Sequence, residues 1–144
     1  MLSIQYFNQV LTAKPYLYEP WFFRGLAKFY LDDFSGAEAD VTKAVELNPY
    51  IYNMYELRGL CNIRQNKYAL AIADYDNSIR LNPQNQAAWY NRALCRVELK
   101  DYAKAQLELD TVVTRWKKFA GAYTLKAQIY LAQKDTTKAD QWLN

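Results

Sequence analysis

The chain has 144 residues, 51% of them apolar and 16% aromatic, with four prolines, four glycines and two cysteines. That is ample material for a core and too little Pro and Gly for a disordered or turn-dominated chain. The 18 basic and 15 acidic side chains are interleaved for a net charge of +3, which speaks against a nucleic-acid-binding or membrane-surface role, and there is no histidine, the commonest general base and metal ligand.

Residues 1–17, MLSIQYFNQVLTAKPYL, place Leu2, Tyr6, Phe7, Val10 and Leu11 at helical spacing, and Pro15 ends that helix. With no basic leader and no long apolar run, the stretch is neither a signal peptide nor a bilayer span, and the same holds along the chain. The next stretch, YEPWFFRGLAKFYLDDFSGAEADVTKAVELNP from Tyr18 to Pro49, reads as a helix to about Leu31, a break at Asp32 and Asp33 with Asp33 as cap, and a second helix to about Leu47. Asn48-Pro49 stops it, because a residue before proline disfavours the α region.

This stretch returns 34 residues later as YNMYELRGLCNIRQNKYALAIADYDNSIRLNP, and again as QAAWYNRALCRVELKDYAKAQLELDTVVTRWK. The pattern divides the chain into a half repeat (1–17, second helix only), repeats at 18–51, 52–85 and 86–119, and a truncated repeat at 120–144. Helices are expected at about 52–65, 69–81, 86–99 and 103–115, with a turn at Asn66 and a cap at Asp101. Lys117 replaces the closing proline of the third repeat, which predicts a less sharply defined connection over Trp116–Phe119. The last unit is expected to form a helix over about 120–133, a cap at Asp135 and the start of another helix.

The aligned columns carry the packing. Trp21, Tyr55, Trp89 and Tyr123 put an aromatic in each first turn; Gly25, Gly59, Ala93 and Ala127 are small, as are Ala37, Ala71, Ala105 and Ala139; Phe34, Tyr68 and Tyr102 plug the turns. Small residues facing each other let two helix axes approach closely, and the turn chemistry agrees with the pattern at each boundary.

These columns, W/Y-x2-[RK]-[GA], then A, then N-P at a period of 34, resemble the tetratricopeptide repeat over the whole chain. The resemblance implies an all-α, right-handed superhelical solenoid of antiparallel helix pairs, whose first helices (A) line a concave groove that receives a peptide or helix. In this chain the implied groove residues are Phe22, Phe23, Leu26, Phe29, Leu57, Leu60, Tyr90, Asn91 and Leu94. They form an apolar trough suited to an amphipathic helix, although leucines and aromatics at helical spacing read equally as core or inter-repeat packing. The family's carboxylate clamp for chaperone tails needs cationic and Asn side chains at places that here hold Phe22, Leu26, Ala87 and Asn91, so the clamp is expected to be absent.

Arg24, Arg58 and Arg92 each precede an acid by 16 residues, Asp40, Asp74 and Glu108, and inter-helix ion pairs that fix the hairpin register are expected there. In the last unit these columns hold Lys126 and Trp142, so the pair is expected to fail. Cys61 and Cys95 share one column and read as small buried apolar residues, not as a disulfide. Arg115, Trp116, Lys117 and Lys118 form the one basic-aromatic patch, read as a solvated turn in preference to a phosphate site.

No glycine-rich phosphate loop, nucleophile elbow or metal-ligand spacing is present, and Asp74 and Asp76 point to different helix faces. The expectation is a protein-interaction scaffold, not an enzyme, with no cofactor, nucleic-acid partner or membrane span. The alternative is a structural segment of a longer array that associates end to end through its first helix and its truncated repeat, since repeat arrays need polar caps. The compartment stays open between cytoplasm and, for an exported bacterial protein, periplasm.

Overall fold

The computed structural model describes the backbone of residues 3–143 and the side chains of residues 3–134. The described chain is all-α, in two compact units, Met1–Gln84 and Asn85–Asn144. The first holds α1 (Ile4–Ala13), α2 (Tyr18–Tyr30), α3 (Phe34–Leu47), α4 (Tyr52–Arg64) and α5 (Tyr68–Leu81). The second holds α6 (Gln86–Glu98), α7 (Tyr102–Arg115) and α8 (Ala120–Leu143). Hairpins α2/α3, α4/α5 and α6/α7 are the A/B pairs of the repeat, α1 is a helix B, and α8 stands in the place of a helix A.

Each hairpin turns on one left-handed residue in a shared column: Asp32, Asn66 and Lys100, at φ 62°, 60° and 63°. The left-handed region costs about 1–2 kcal/mol for a residue with a Cβ. It lets the next backbone N–H reach back to the last turn of helix A, Asp33 to Lys28 O at 2.9 Å, Lys67 to Asn62 O at 2.8 Å and Asp101 to Arg96 O at 2.8 Å. These bonds satisfy carbonyls that a helix end leaves orphaned. Asp33 caps α3 by accepting from Gly36 N at 3.0 Å. Asp101 holds the N-cap position of α7 but makes no side-chain cap bond, a departure from the expected cap.

Helix B ends alike in both units. The N–H groups of Lys14, Asn48, Asn82 and Trp116 donate to the carbonyl four residues back at 2.7, 2.9, 2.8 and 2.7 Å. The connection after α7 is therefore as well defined as the others, contrary to expectation. Trp116 and Phe119 pack on the core of the second unit, and that burial does what Pro49 and Pro83 do elsewhere.

The larger correction is at α8, which runs without interruption through Asp135 to Leu143 instead of breaking into an A helix and the start of a B helix. The column of Phe34, Tyr68 and Tyr102 holds Thr136 here. Without an aromatic plug to bury, nothing offsets a left-handed residue, and the i→i−4 ladder continues.

The first unit's core joins Ala37, Val41 and Ala44 of α3 to Met54, Leu57 and Cys61 of α4. The second joins Ala93, Ala105, Leu109, Val112, Ala122, Leu125 and Ile129 from its three helices. Close crossing needs the small column: a Cβ on Gly25 would lie 2.9 Å from Val41 Cγ2, and one on Gly59 would lie 2.8 Å from the Tyr75 ring.

Candidate interaction surface

Helix A is positioned by two side chains before it offers anything to a partner. Its first-turn aromatic reaches back six residues into the preceding loop: Trp21 Nε1 donates to Pro15 O at 2.8 Å, Tyr55 Oη to Pro49 O at 2.9 Å and Tyr123 Oη to Lys117 O at 3.1 Å. Three residues later the cation column sits between two helices B. Arg24 holds Asp40 bidentately, Nε to Oδ2 at 2.8 Å and Nη2 to Oδ1 at 2.7 Å, and donates through Nη1 to Asn8 on the preceding helix B. Arg58 donates to Asp74 at 2.9 Å and to Thr42 at 3.3 Å. Arg92 Nε lies 2.9 Å from Glu108 Oε1.

A second donor one turn along helix A also reaches each acid. Lys28 Nζ is 3.0 Å from Asp40, Asn62 donates to Asp74 at 2.9 Å, and Arg96 donates to Glu108 at 2.7 Å. Asp40 and Asp74 are buried. Hydrogen bonding to Asp40, aided by its charge, holds the Arg24 guanidinium above its ordinary pKa against the effect of burial. For Asp74 burial is the larger influence, and it pushes the carboxyl up against the pull of Arg58 and Asn62. Lys126 pairs backward with Asp110 of the preceding helix B, while its forward column falls on Trp142. Trp142 lies outside the described side chains. The backward acceptors Asn8, Thr42 and Asp110 stand 16 residues before their cations, a spacing as regular in sequence as the forward one.

The nine expected groove residues separate by environment. Leu57 is only 5% exposed and belongs to the core, so it is packing and not trough lining. Leu125, in the same column, is buried too. Phe29 packs edge-on against Phe34 at 5.4 Å with the Arg64 guanidinium over both rings, which ties it to the turn. Phe22, Leu26 and Leu60 in the first unit and Tyr90, Asn91 and Leu94 in the second are half-buried. Tyr90 leans edge-on on Phe119 at 5.4 Å.

Phe23 is different. It shares the column of Leu57 and Leu125, yet it is 47% exposed. With Ile4 and Phe7 of α1 and Leu26, Ala27, Tyr30 and Leu31 along α2, it lines a cleft of about 580 Å³ in which no charged side chain takes part. That volume lies within the range of ligand pockets. The column alone does not separate these cases: Leu57 and Leu125 are buried, Asn91 is half-buried and Phe23 is exposed.

In the basic-aromatic patch, Trp89 carries the Arg92 guanidinium 5.0 Å and the Arg115 guanidinium 5.1 Å from its ring centroid. Arg115 is thereby committed inside the unit. Lys117 and Lys118 border a shallow depression with Trp116, Phe119 and Gln86. Cys61 and Cys95 are buried free thiols, each pushed up to about 12 chiefly by burial. Among the described residues no cluster of acids and cysteines could hold a metal, and no helix is long and apolar enough to cross a membrane.

Tetratricopeptide repeat models match residues 24–78 and 63–108, and another matches residues 120–144. The chain belongs to the tetratricopeptide repeat family. It shares the family's all-α repeat solenoid and its character as a protein-interaction scaffold rather than an enzyme. Among solved structures it is similar to the crystal structure of MamA, at 21% identity and a TM-score of 0.87, covering 96% of this chain and 81% of that one. It is also similar to the TPR domain of Arabidopsis OM64, at 19% identity and a TM-score of 0.73, covering 78% and 93%. The first TPR of Spaghetti (RPAP3), bound to the HSP90 peptide SRMEEVD, matches at 21% identity and a TM-score of 0.74, covering 79% and 90%. No curated protein matches the tetratricopeptide chain in sequence.

Proposed function

We propose that this tetratricopeptide chain binds a protein partner, as an amphipathic helix or apolar peptide, on the half-buried apolar faces of its helices A. The observation that carries the reading is the uncharged cleft between α1 and α2, lined by Phe7, Phe23, Leu26 and Tyr30. An exposed apolar patch rimmed by polar residues is the signature of an interaction site. Leu60 in the first unit, and Tyr90 and Leu94 in the second, extend the same chemistry within their own units.

The partner is not an acidic chaperone tail. The Spaghetti domain binds a peptide ending EEVD, whereas the clamp places here are Phe22, Leu26, Ala87 and Asn91, with no cation among them. A carboxylate set against those side chains would lose its hydration without a charge in return.

The test is capture from a cell lysate of the source by the wild-type chain and by a Leu26→Glu, Leu60→Glu, Leu94→Glu variant whose helicity and cooperative melting are first shown intact. A protein held by the first and lost by the second supports the proposal. The same proteins with both, or none with either, means that the leucine column serves packing.

A further inference from the structure

We infer that a polar pocket over Asn62, between α3 and α5, receives the ammonium of a lysine side chain presented by a protein partner. The pocket shares no lining residue with the apolar faces proposed above, so the two readings stand or fall separately.

The pocket has a volume of about 270 Å³ and lies wholly inside the first unit, between helices of complete repeats. Glu38 and Thr42 line it from α3, Asn62 from α4, and Leu70, Ala73 and Asp74 from α5. Two departures from the repeat pattern meet here. The first is Asn62, whose column gives the acid a second cation in the other repeats. Lys28 Nζ lies 3.0 Å from Asp40 beside Arg24, and Arg96 donates to Glu108 at 2.7 Å beside Arg92. Asp74 receives Arg58 and, in place of that cation, a neutral amide. The second is Glu38, an acid in a column that holds Ile4 and Ile72 elsewhere. One positive charge is missing and one negative charge is added at the same place. After burial, Glu38 and Asp74 are the charges that raise the Cys61 thiol, so the charge felt here is negative.

The pocket also offers acceptors. Asn62 is 3% exposed; its Nδ2 donates to Asp74 at 2.9 Å, and its Oδ1 accepts from no group of the described protein. Glu38 takes Gln65 and Lys67 on Oε1, each at 3.2 Å, and neither on Oε2. An ammonium brings three donors and no acceptor, which answers this arrangement. Lys28, serving the aspartate of the first repeat, is the internal example of the same contact. Leu70, 56% exposed, and Ala73 give a methylene stem an apolar wall. Lys67, standing on Glu38, would repel the second charge of a free polyamine, whereas a lysine held in a peptide brings one charge only.

The test is an NMR titration of the isotope-labelled chain, at constant ionic strength, with the peptide acetyl-Gly-Lys-Gly-amide, the same peptide acetylated on its lysine, and putrescine. Saturable shifts at the Asn62 side-chain amide are expected with the lysine peptide and not with the acetylated one. Glu38→Gln is expected to weaken binding at least about fivefold. Asn62→Lys, which gives the pocket its own cation, abolishes it. Ala73→Lys, at an exposed position on the pocket wall, does the same should Asn62→Lys fail to fold. The Leu26, Leu60 and Leu94 triple variant keeps the response. No saturable shift with the lysine peptide means that the pocket holds water only, and it overturns the inference. So does an equal response to the acetylated peptide, an unchanged affinity in Glu38→Gln, or binding retained by the lysine variants. Putrescine binding more tightly than the peptide assigns the pocket to a free amine and overturns the choice of a protein lysine.

Discussion

Asp74 shows how an ion pair expected from spacing acquires its energetic weight from burial. Arg58 and Asn62, one turn apart on α4, both point at it, and the carboxylate has almost no access to water. Removing the acid leaves a guanidinium and an amide facing a void, and Asp74→Ala is expected to cost about 3–5 kcal/mol. Asp110→Ala, at the exposed pair with Lys126, is expected to cost less than about 1 kcal/mol. Urea denaturation of the two variants checks the contrast. The pH dependence follows from the same burial. Because burial raises the Asp74 carboxyl above its ordinary pKa, the folded chain takes up this proton at a higher pH than the unfolded chain. The associated stability is complete below the unfolded value near 4 and is lost as pH rises through the folded value. Wild type is therefore expected to gain stability relative to Asp74→Asn as pH falls from neutrality toward about 4, as read from paired denaturation curves. A difference that stays flat, or one of opposite sign, contradicts it.

At the scale of the hairpin, the small column on helix A lets the helix B side chain opposite it come close, most tightly at Gly59. Gly25 meets Val41 and Gly59 meets Tyr75, while the corresponding pair in the second unit is Ala93 and Leu109, in one core. A methyl added at Gly59 meets a fully buried ring that has nowhere to move. Gly59→Ala is expected to destabilise by about 1–3 kcal/mol through overpacking. Placed on Tyr75→Leu, which recreates the pairing of Ala93 and Leu109, the same substitution should cost little. A double-mutant cycle by denaturation measures the coupling, and additive costs would refute the close fit of Gly59 to Tyr75. The turns follow similar logic. Lys100 occupies the same left-handed position as Asp32 and Asn66 although its side chain has no local preference for it, so the column, and not the residue, decides. α8 is the complementary case, where the aromatic that rewards the turn is missing and the helix does not turn.

Across the whole molecule the two units each contain one cysteine of the same column, Cys61 and Cys95, fully buried and unpaired. Their thiols, raised to about 12 by burial, hold roughly a thousandfold less thiolate at neutral pH than an ordinary cysteine. Modification by an aromatic disulfide reagent therefore waits for the surrounding core to open. The native chain is expected to react at least about a hundredfold more slowly than the chain in urea. Cys61→Ser reports the opening of the second unit and Cys95→Ser that of the first. Fast modification of the folded chain at either site would place that thiol outside the core.

The repeat, its helix boundaries, the cation-to-acid spacing and the family were legible in the amino-acid sequence, because each is a local or periodic property: a column recurring every 34 residues, a proline that stops a helix, a charge 16 residues from its partner. Which leucines and aromatics pack and which stay available was not legible. Phe23, Leu57 and Leu125 share one column and one chemistry, and only the tertiary packing around each separates a wall of an open cleft from two core residues. The unbroken course of α8 was likewise decided in three dimensions. A turn forms when the burial it brings outweighs the strain it costs, and that balance is struck by side chains distant along the chain.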